Sequence, residues 1–304
     1  MKEIGKIWMN GKLVPFKDAK VHVLTHALHY STAVFEGIRC YNTSNGSAIF
    51  RLPEHVDRFF NSAKLYGMKI RYTKKQILDA IIRTVKASGL KECYIRPIAY
   101  YGYGTMGLTP TLNRVDVSIS CWEWKMGESK AGKFSGAKCK ISKWVRIDSR
   151  SQPMRAKSAA NYSNAALARV EALKSGYDEA IMLNYNGKVA EGSAENIFIV
   201  KNGIIKTPPL NADILNGITR DSVIRLIKAD RIKLIQKNIT LKELLKADEV
   251  FMTGTAAEVK SVTKINKTSI GNGKVGKITK TLQKSFIDIV MGNDDRFTSW
   301  LRYI

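Results

Sequence analysis

Asn-Gly dipeptides set between apolar, strand-forming residues constrain this chain more than any other local feature. A tight two-residue hairpin turn needs positive φ at both central positions, which asparagine and glycine tolerate and most residues resist. The pattern occurs in Ile7-Trp8-Met9-Asn10-Gly11-Lys12-Leu13-Val14. It recurs at Asn45-Gly46, between Ile38-Arg39-Cys40-Tyr41 and Ala48-Ile49-Phe50. In the second half it returns at Asn186-Gly187 and Asn202-Gly203, beside strand-like runs at 179–185, 188–191 and 196–201. Antiparallel sheet is therefore expected in both halves: hairpins early, a meander late.

Helical spacing alternates with these strands. Val56, Phe59, Phe60 and Ala63 share one face of a helix expected over 54–67. Ile77, Ile81, Ile82 and Val85 do the same over 74–88, with Gly89 as a natural stop. Strands are expected over 92–101, 114–124, 139–144 and 248–253, and helices over 162–175, 219–229 and 277–291. Thr240-x-x-Glu243 is a capping box opening one more short helix. The stretch 125–138 turns polar and carries Gly127, Gly132 and Gly136, as a linker would. The expected class is α+β in two domains, 1–125 and 138–304, joined by a linker at 126–137. A chain of 304 residues exceeds one comfortable core.

Composition excludes several classes. Hydrophobic content of 44% and charged content of 25% describe a globular chain, not a disordered one. The net charge of +24 raises nucleic-acid binding, but the lysines are dispersed and no basic run interleaves with stacking aromatics. A lysine-biased surface that attracts anionic ligands is the preferred reading, with no specific nucleic acid partner. No apolar run reaches the ~18 residues that span a bilayer, so no membrane partner is expected. The amino terminus lacks an apolar signal core, and Cys40, Cys93, Cys121 and Cys139 form no Cys-x-x-Cys pair. Reduced thiols and a cytoplasmic location are expected. His22, His26 and His29 could share a helical face, but no acidic partner accompanies them, and no metal site is expected.

Chemistry concentrates elsewhere. Lys157 sits among small residues in Arg155-Ala156-Lys157-Ser158-Ala159-Ala160-Asn161-Tyr162, just ahead of a helical pattern. A lysine becomes a nucleophile when a low-dielectric or cationic setting favours its neutral form. Downstream, Glu191-Gly192-Ser193-Ala194-Glu195-Asn196 precedes an apolar strand. An amine and a carboxylate in one pocket fit a pyridoxal phosphate site, where the lysine forms a Schiff base and the acid holds the pyridine nitrogen protonated. Leu215-Asn216-Gly217-Ile218-Thr219-Arg220 runs straight into a helix, whose N–H groups could seat a phosphate or simply be capped. Thr253-Gly254-Thr255-Ala256-Ala257 is a small turn that could hold an anion or be a plain loop. Arg58 could reach a phosphate, or pair with Asp57 or Glu54 on the surface. Tyr94 and Arg96 share a strand face, suited to a carboxylate or to a half-buried sheet edge.

Taken in order along nearly the whole chain, these segments resemble the branched-chain amino acid aminotransferases of the fold-type IV pyridoxal phosphate enzymes. Thr25-His26-Ala27-Leu28-His29-Tyr30 and Val34-Phe35-Glu36-Gly37-Ile38-Arg39 are similar to the first signature, and Tyr94-Ile95-Arg96-Pro97 to the branch handling L-amino acids. Glu191 to Asn196, Gly217 to Arg220, and Phe251-Met252-Thr253-Gly254-Thr255-Ala256-Ala257-Glu258 complete the pattern. The resemblance implies a two-domain aminotransferase class IV architecture and pyridoxal 5'-phosphate as cofactor. It implies Lys157 as the Schiff-base residue and Glu191 on the pyridine nitrogen. Arg58, Ile218, Thr219 and Thr255 fall on the phosphate and Tyr162 beside the phenolic oxygen, with Glu195, Asn196, Gly217 and Gly254 in the same cofactor set. Tyr94 and the amides of Thr255 and Ala256 fall on the substrate α-carboxylate. Phe35 and Tyr30 line the side-chain pocket, with Tyr30 reaching in from a neighbouring subunit, and Gly37 and Arg96 belong to the substrate set.

The implied reaction is ping-pong transamination of leucine, isoleucine and valine with 2-oxoglutarate, giving branched 2-oxo acids and L-glutamate. The implied partners are those amino acids and 2-oxo acids, and further copies of the chain, as a homodimer or a hexamer of dimers. Ala160 and Ala194 stand where the family usually has glycine, and Asn216 where it often has proline. No tyrosine follows Trp124 in Trp124-Lys125-Met126-Gly127, where many relatives use one for glutamate's side chain. Rival readings are a D-amino acid transaminase, an amine transaminase or an aminodeoxychorismate lyase of the same fold, and, from another class, a basic nucleic-acid-binding protein.

Overall fold

Alternation in Val115–Glu123 buries one face of that strand, Cys93–Tyr101 is buried along most of its length, and the two pair in antiparallel register over their full lengths. A computed structural model describes residues 5–124 and 136–304. These divide into two units. The first takes the described residues up to 124 together with Ala156–Ala160 and Ile289–Ile304; the second takes 136–155 and 161–288.

In the first unit the strand pair is the centre of an eight-stranded antiparallel sheet. Lys6–Met9 and Lys12–Pro15 extend one side, and Ile38–Thr43 and Gly46–Phe50 the other. Asn10 and Gly11 hold φ of 48° and 99°, as the hairpin requires. The second hairpin turns one residue earlier than Asn45-Gly46 suggests. Thr43 pairs with Gly46, so Ser44 and Asn45 make the turn. The Thr43 hydroxyl decides this register: it accepts from the Asn45 N–H at 3.1 Å and donates to the Gly46 carbonyl at 2.7 Å. Helices Leu52–Leu65 and Lys74–Ser88 cover the sheet through Val56, Phe59, Ile77 and Ile81, all buried with Ile38, Ile49, Ile95 and Ile119. The second helix starts on a capping box between Thr73 and Gln76 and ends on Gly89 at φ 70°. Cys40 and Cys93 are direct cross-strand partners, and all four cysteines are buried and free.

The second unit is a nine-stranded mixed sheet rather than a meander. Ala137–Ile141 lies parallel to both Glu179–Leu183 and Glu258–Ile265, and Ile204–Thr207 lies parallel to Leu234–Gln236. The Asn202-Gly203 turn has the expected geometry, with φ of 50° and 72°. Helix Ile218–Ala229 buries Val223, Leu226 and Ile227, and the Thr240/Glu243 capping box opens Leu241–Leu245.

The chain does not divide at a single point, as boundaries of 1–125 and 138–304 assume. Ala156–Ala160, with Lys157, clusters with the first unit. Hydrogen bonds explain this: the Phe35 N–H donates to the Lys157 carbonyl at 2.9 Å, and the Lys157 N–H donates to Ser62 Oγ at 3.0 Å. The carboxy-terminal strand Leu301–Tyr303 also pairs there, with Gly46–Phe50. Most of the expected linker lies outside the described residues.

Candidate active site

In the first unit, the isolated bridge between Val34 and Ser158 brings the Lys157 segment beside the Phe35-Glu36-Gly37 turn. Ser158 Oγ and Tyr66 OH, 2.7 Å apart, fix its other side. Lys157 is half-buried, with Nζ 5.0 Å from the Phe35 ring centre. Its backbone makes the bonds that hold the segment to Phe35 and Ser62.

Glu36 is fully buried and gathers two side chains. Its carboxylate accepts from Arg58 Nε at 2.7 Å and Nη2 at 2.8 Å, and lies 2.7 Å from His55 Nδ1. Burial works to raise the Glu36 carboxyl, but the Arg58 ion pair and the His55 contact outweigh it and hold the group well below the usual carboxylate range. Burial pushes His55 down despite the adjacent Glu36, which favours a neutral imidazole. Arg58 is therefore no surface arginine: its fork is oriented from below by a buried anion.

Tyr94 and Arg96 do share a strand face. Tyr94 stacks on Trp122 at 4.9 Å, and a Cβ at Gly37 would overlap its hydroxyl, so only glycine lets the two strands present that oxygen. The Arg96 guanidinium carbon lies 4.8 Å from the Phe35 ring centre, 5.4 Å from Tyr94 and 5.5 Å from Trp122. Its Nε is buried with no hydrogen-bond partner among the described residues. Tyr30 is 41% exposed and donates to the Met106 carbonyl at 3.1 Å. His26 is buried against Thr32 and Gly107, while the His22 ring lies tilted against Tyr103 and His29 lies 3.0 Å from the Val23 carbonyl. Among the described residues no cluster of His, Cys, Asp and Glu could hold a metal.

In the second unit, Glu191 is buried and ringed by donors. Oε1 lies 2.7 Å from Arg146 Nη2, and Oε2 accepts from Asn196 Nδ2 at 2.9 Å and the Leu215 N–H at 3.1 Å. Glu195 is half-buried and differs in setting: it accepts from the Ala194 N–H at 3.0 Å and helps raise the buried Cys139 thiol. Asn196 also donates to the Leu215 carbonyl at 2.9 Å, tying the strand to the segment before helix Ile218–Ala229. That helix starts at Gly217 without a side-chain cap. A Cβ at Gly217 would overlap Asn196 Oδ1, so the small residue is what lets the helix start close against Asn196. Thr219 is buried, Thr255 half-buried and Ala256 exposed, in the turn after Glu249–Gly254. Tyr162 is half-buried on the first turn of Ala159–Lys174.

Glu36 lies inside a recognised signature, yet its bond to Arg58 cannot be read locally, because the partners are 22 residues apart. Arg146 carries no signal in the sequence at all: it stands between Val145 and Ile147 with no motif around it.

In the second unit a buried carboxylate ringed by donors and an uncapped helix start suit a basic ring nitrogen and a phosphate; in the first, a half-buried lysine suits an aldehyde. A family model for amino-transferase class IV matches residues 33–265. A branched-chain-amino-acid aminotransferase of Pseudomonas aeruginosa is 44% identical over 296 residues, covering 97% of this chain and 96% of the relative. That of Escherichia coli is 38% identical over 301 residues, covering 99% and 97%. Among solved structures, the branched-chain amino acid aminotransferase of Thermobaculum terrenum in its PLP-bound holo form superposes with a TM-score of 0.92 at 33% identity, covering 99% of this chain and 99% of that one. The chain therefore belongs to the class IV aminotransferases and, within them, to the branched-chain-amino-acid aminotransferase family.

Proposed function

We propose that this protein transaminates branched-chain L-amino acids with 2-oxoglutarate, using pyridoxal 5'-phosphate. The observation that supports this most is the pairing of near-full-length similarity with a buried carboxylate, Glu191, held by donors on both oxygens. When bound, the cofactor supplies an aldehyde that links to amines and a ring that accepts electrons released at the substrate's α-carbon. Lys157 Nζ is the amine that anchors it and the base that takes the proton from substrate Cα. Glu191 keeps a proton on the ring nitrogen. Arg58, the N–H groups of Ile218 and Thr219, and Thr255 hold the phosphate, the helix start adding its dipole. Tyr162 attends the phenolic oxygen, and Glu195, Asn196, Gly217 and Gly254 shape the seat. Tyr94 and the amides of Thr255 and Ala256 bind the α-carboxylate, with Gly37 leaving room for the Tyr94 hydroxyl.

Both substrates must use one side-chain pocket. Phe35 and Tyr30 supply its apolar wall. Arg96, set against Phe35, Tyr94 and Trp122, offers a cation to the γ-carboxylate of glutamate while its stacked face stays compatible with leucine. The position after Trp124 where relatives carry a tyrosine lies outside the described residues, and the sequence has none there.

The first unit also exposes an apolar patch. Val23, Leu28, Tyr103, Leu108 and Leu112 are 62–84% exposed. The 25–30 and 103–107 segments are tied together by the Thr25–Tyr103 bridge and by the bonds from His26 to Gly107 and Tyr30 to Met106. A patch of this kind is covered in an assembly, and a second copy of the chain is its occupant. Tyr30, on its edge, would reach into the neighbour. No helix among the described residues is long and apolar enough to cross a membrane. A cytoplasmic location fits the four free thiols.

The experiment is a panel of L- and D-amino donors with 2-oxoglutarate, following glutamate formed. Leucine, isoleucine and valine should outrun alanine, the D-enantiomers and simple amines. Preference for a D-amino acid or an amine would replace this reading by a rival of the same fold.

A further inference from the structure

Arg146 is a buried charge outside every cofactor and substrate contact assigned above. Its side chain is 5% exposed, and its backbone N–H donates to the Leu183 carbonyl at 2.8 Å, anchoring it at the end of strand Glu179–Leu183. Nη2 lies 2.7 Å from Glu191 Oε1. Nε and Nη1 are buried with no hydrogen-bond partner among the described residues. Burying a guanidinium so incompletely satisfied is costly, and an apolar side chain would fill the space at less cost. Its charge is thus the feature that needs an explanation, and the group it meets is Glu191.

Other neighbours of Glu191 act in the same sense. Asn196 and the Leu215 N–H donate to the other oxygen. Arg220, also buried, adds a second cation that interacts with Glu191 while its Nη2 is held by the Pro208 carbonyl and Gln236. Every one of these favours carboxylate over carboxylic acid. If Glu191 meets a basic ring nitrogen, one proton is shared between them, and whatever stabilises the carboxylate leaves the proton on nitrogen.

We propose that Arg146 is a positioning residue which, by pairing with Glu191, keeps that shared proton on the cofactor's ring nitrogen. The inference rests on the reading of Glu191 as the ring's partner. Arg146 acts on the ring only through Glu191, so its direct bond to the carboxylate outweighs its repulsion of a protonated ring. Without it the buried carboxylate competes better for the proton, and the ring accepts electrons less well.

The test uses full-length protein loaded with ring-¹⁵N-labelled pyridoxal 5'-phosphate, with ¹⁵N NMR reading protonation of the nitrogen. R146M should lower the proton affinity of the nitrogen by about tenfold to a hundredfold, the worth of one charge-assisted bond. R146K should recover most of it, and R146Q, a donor without charge, should fall between. The kcat for leucine should drop across R146M and R146Q while KM holds. R146Q keeps the test standing if R146M does not fold. Wild-type or raised proton affinity in both neutral variants overturns the inference. E191Q separates the two levels: if it lowers the affinity while the neutral Arg146 variants do not, only the role of Arg146 fails. If E191Q itself changes nothing, the assignment of Glu191 fails, and this inference with it.

Discussion

Replacing Glu36 by glutamine tests whether the buried anion beneath Arg58 organises the first unit. Glu36 has no exposed surface, Arg58 is 13% exposed and His55 2%. The contacts on its carboxylate come from nitrogen: Arg58 Nε and Nη2, His55 Nδ1, and the Gly37 N–H at 3.3 Å. Glutamine keeps one acceptor oxygen but turns an NH₂ toward these groups, leaving a guanidinium buried without its counter-charge. Breaking a buried pair from one side costs about 3–5 kcal/mol. Because one acceptor survives, the lower end, about 3 kcal/mol, is expected. At roughly 2–4 °C per kcal/mol for a unit of this size, Tm should fall by about 6–12 °C. The pH dependence has a definite sign. A carboxyl lowered in the folded state contributes its full stability above its unfolded pKa of about 4.3 and loses it as the pH falls toward the folded value. The folded value lies well below the usual range, since Arg58 and His55 outweigh burial. Calorimetry should therefore find the gap between wild type and E36Q constant from pH 7 to about 5, shrinking only in stronger acid. The same variant should bind pyridoxal 5'-phosphate more weakly, because Arg58 loses its orientation. A gap below about 1 kcal/mol at pH 7, or one that widens on acidification, would refute the reasoning.

Lys157→Ala should abolish turnover and leave circular dichroism unchanged, because the bonds to Ser62 and Phe35 come from the Lys157 backbone; near wild-type turnover would remove Lys157 from its role. Arg96→Leu should reduce single-turnover rates with glutamate and 2-oxoglutarate by about tenfold to a hundredfold, the loss of one charge-assisted bond, and affect leucine less. Equal losses for both would place Arg96 on the shared α-carboxylate instead.

What is legible in the sequence is what short range controls. The Asn10-Gly11 and Asn202-Gly203 turns, the Thr240 capping box and the Gly89 stop are all local, and all stand where the residues indicate. Asn45-Gly46 shows the limit even there, since a threonine hydroxyl two residues earlier shifts the turn. Pairings across long separations leave no local trace. Nothing around Leu301 signals that it joins Phe50, and nothing around Lys157 signals that five residues cluster with the first unit. The parallel pairs of the second sheet are likewise hidden, because adjacent strands there come from distant segments. For the candidate site, ordered signatures point to the residues proposed above, and the shared face of Tyr94 and Arg96 follows from strand alternation. The partners that tune them, Glu36 beneath Arg58 and Arg146 beside Glu191, become visible only once helix and strand are folded together.

The most direct measurement is a half-reaction with the pyridoxal 5'-phosphate-loaded protein and L-leucine alone, without 2-oxoglutarate. The cofactor should pass fully to its amine form, releasing about one 4-methyl-2-oxopentanoate per bound cofactor, as ping-pong transfer demands. Adding 2-oxoglutarate should then restore the starting spectrum and release L-glutamate. D-leucine should leave the spectrum unchanged. No 2-oxo acid from L-leucine, or equal conversion of both enantiomers, would contradict the proposed function.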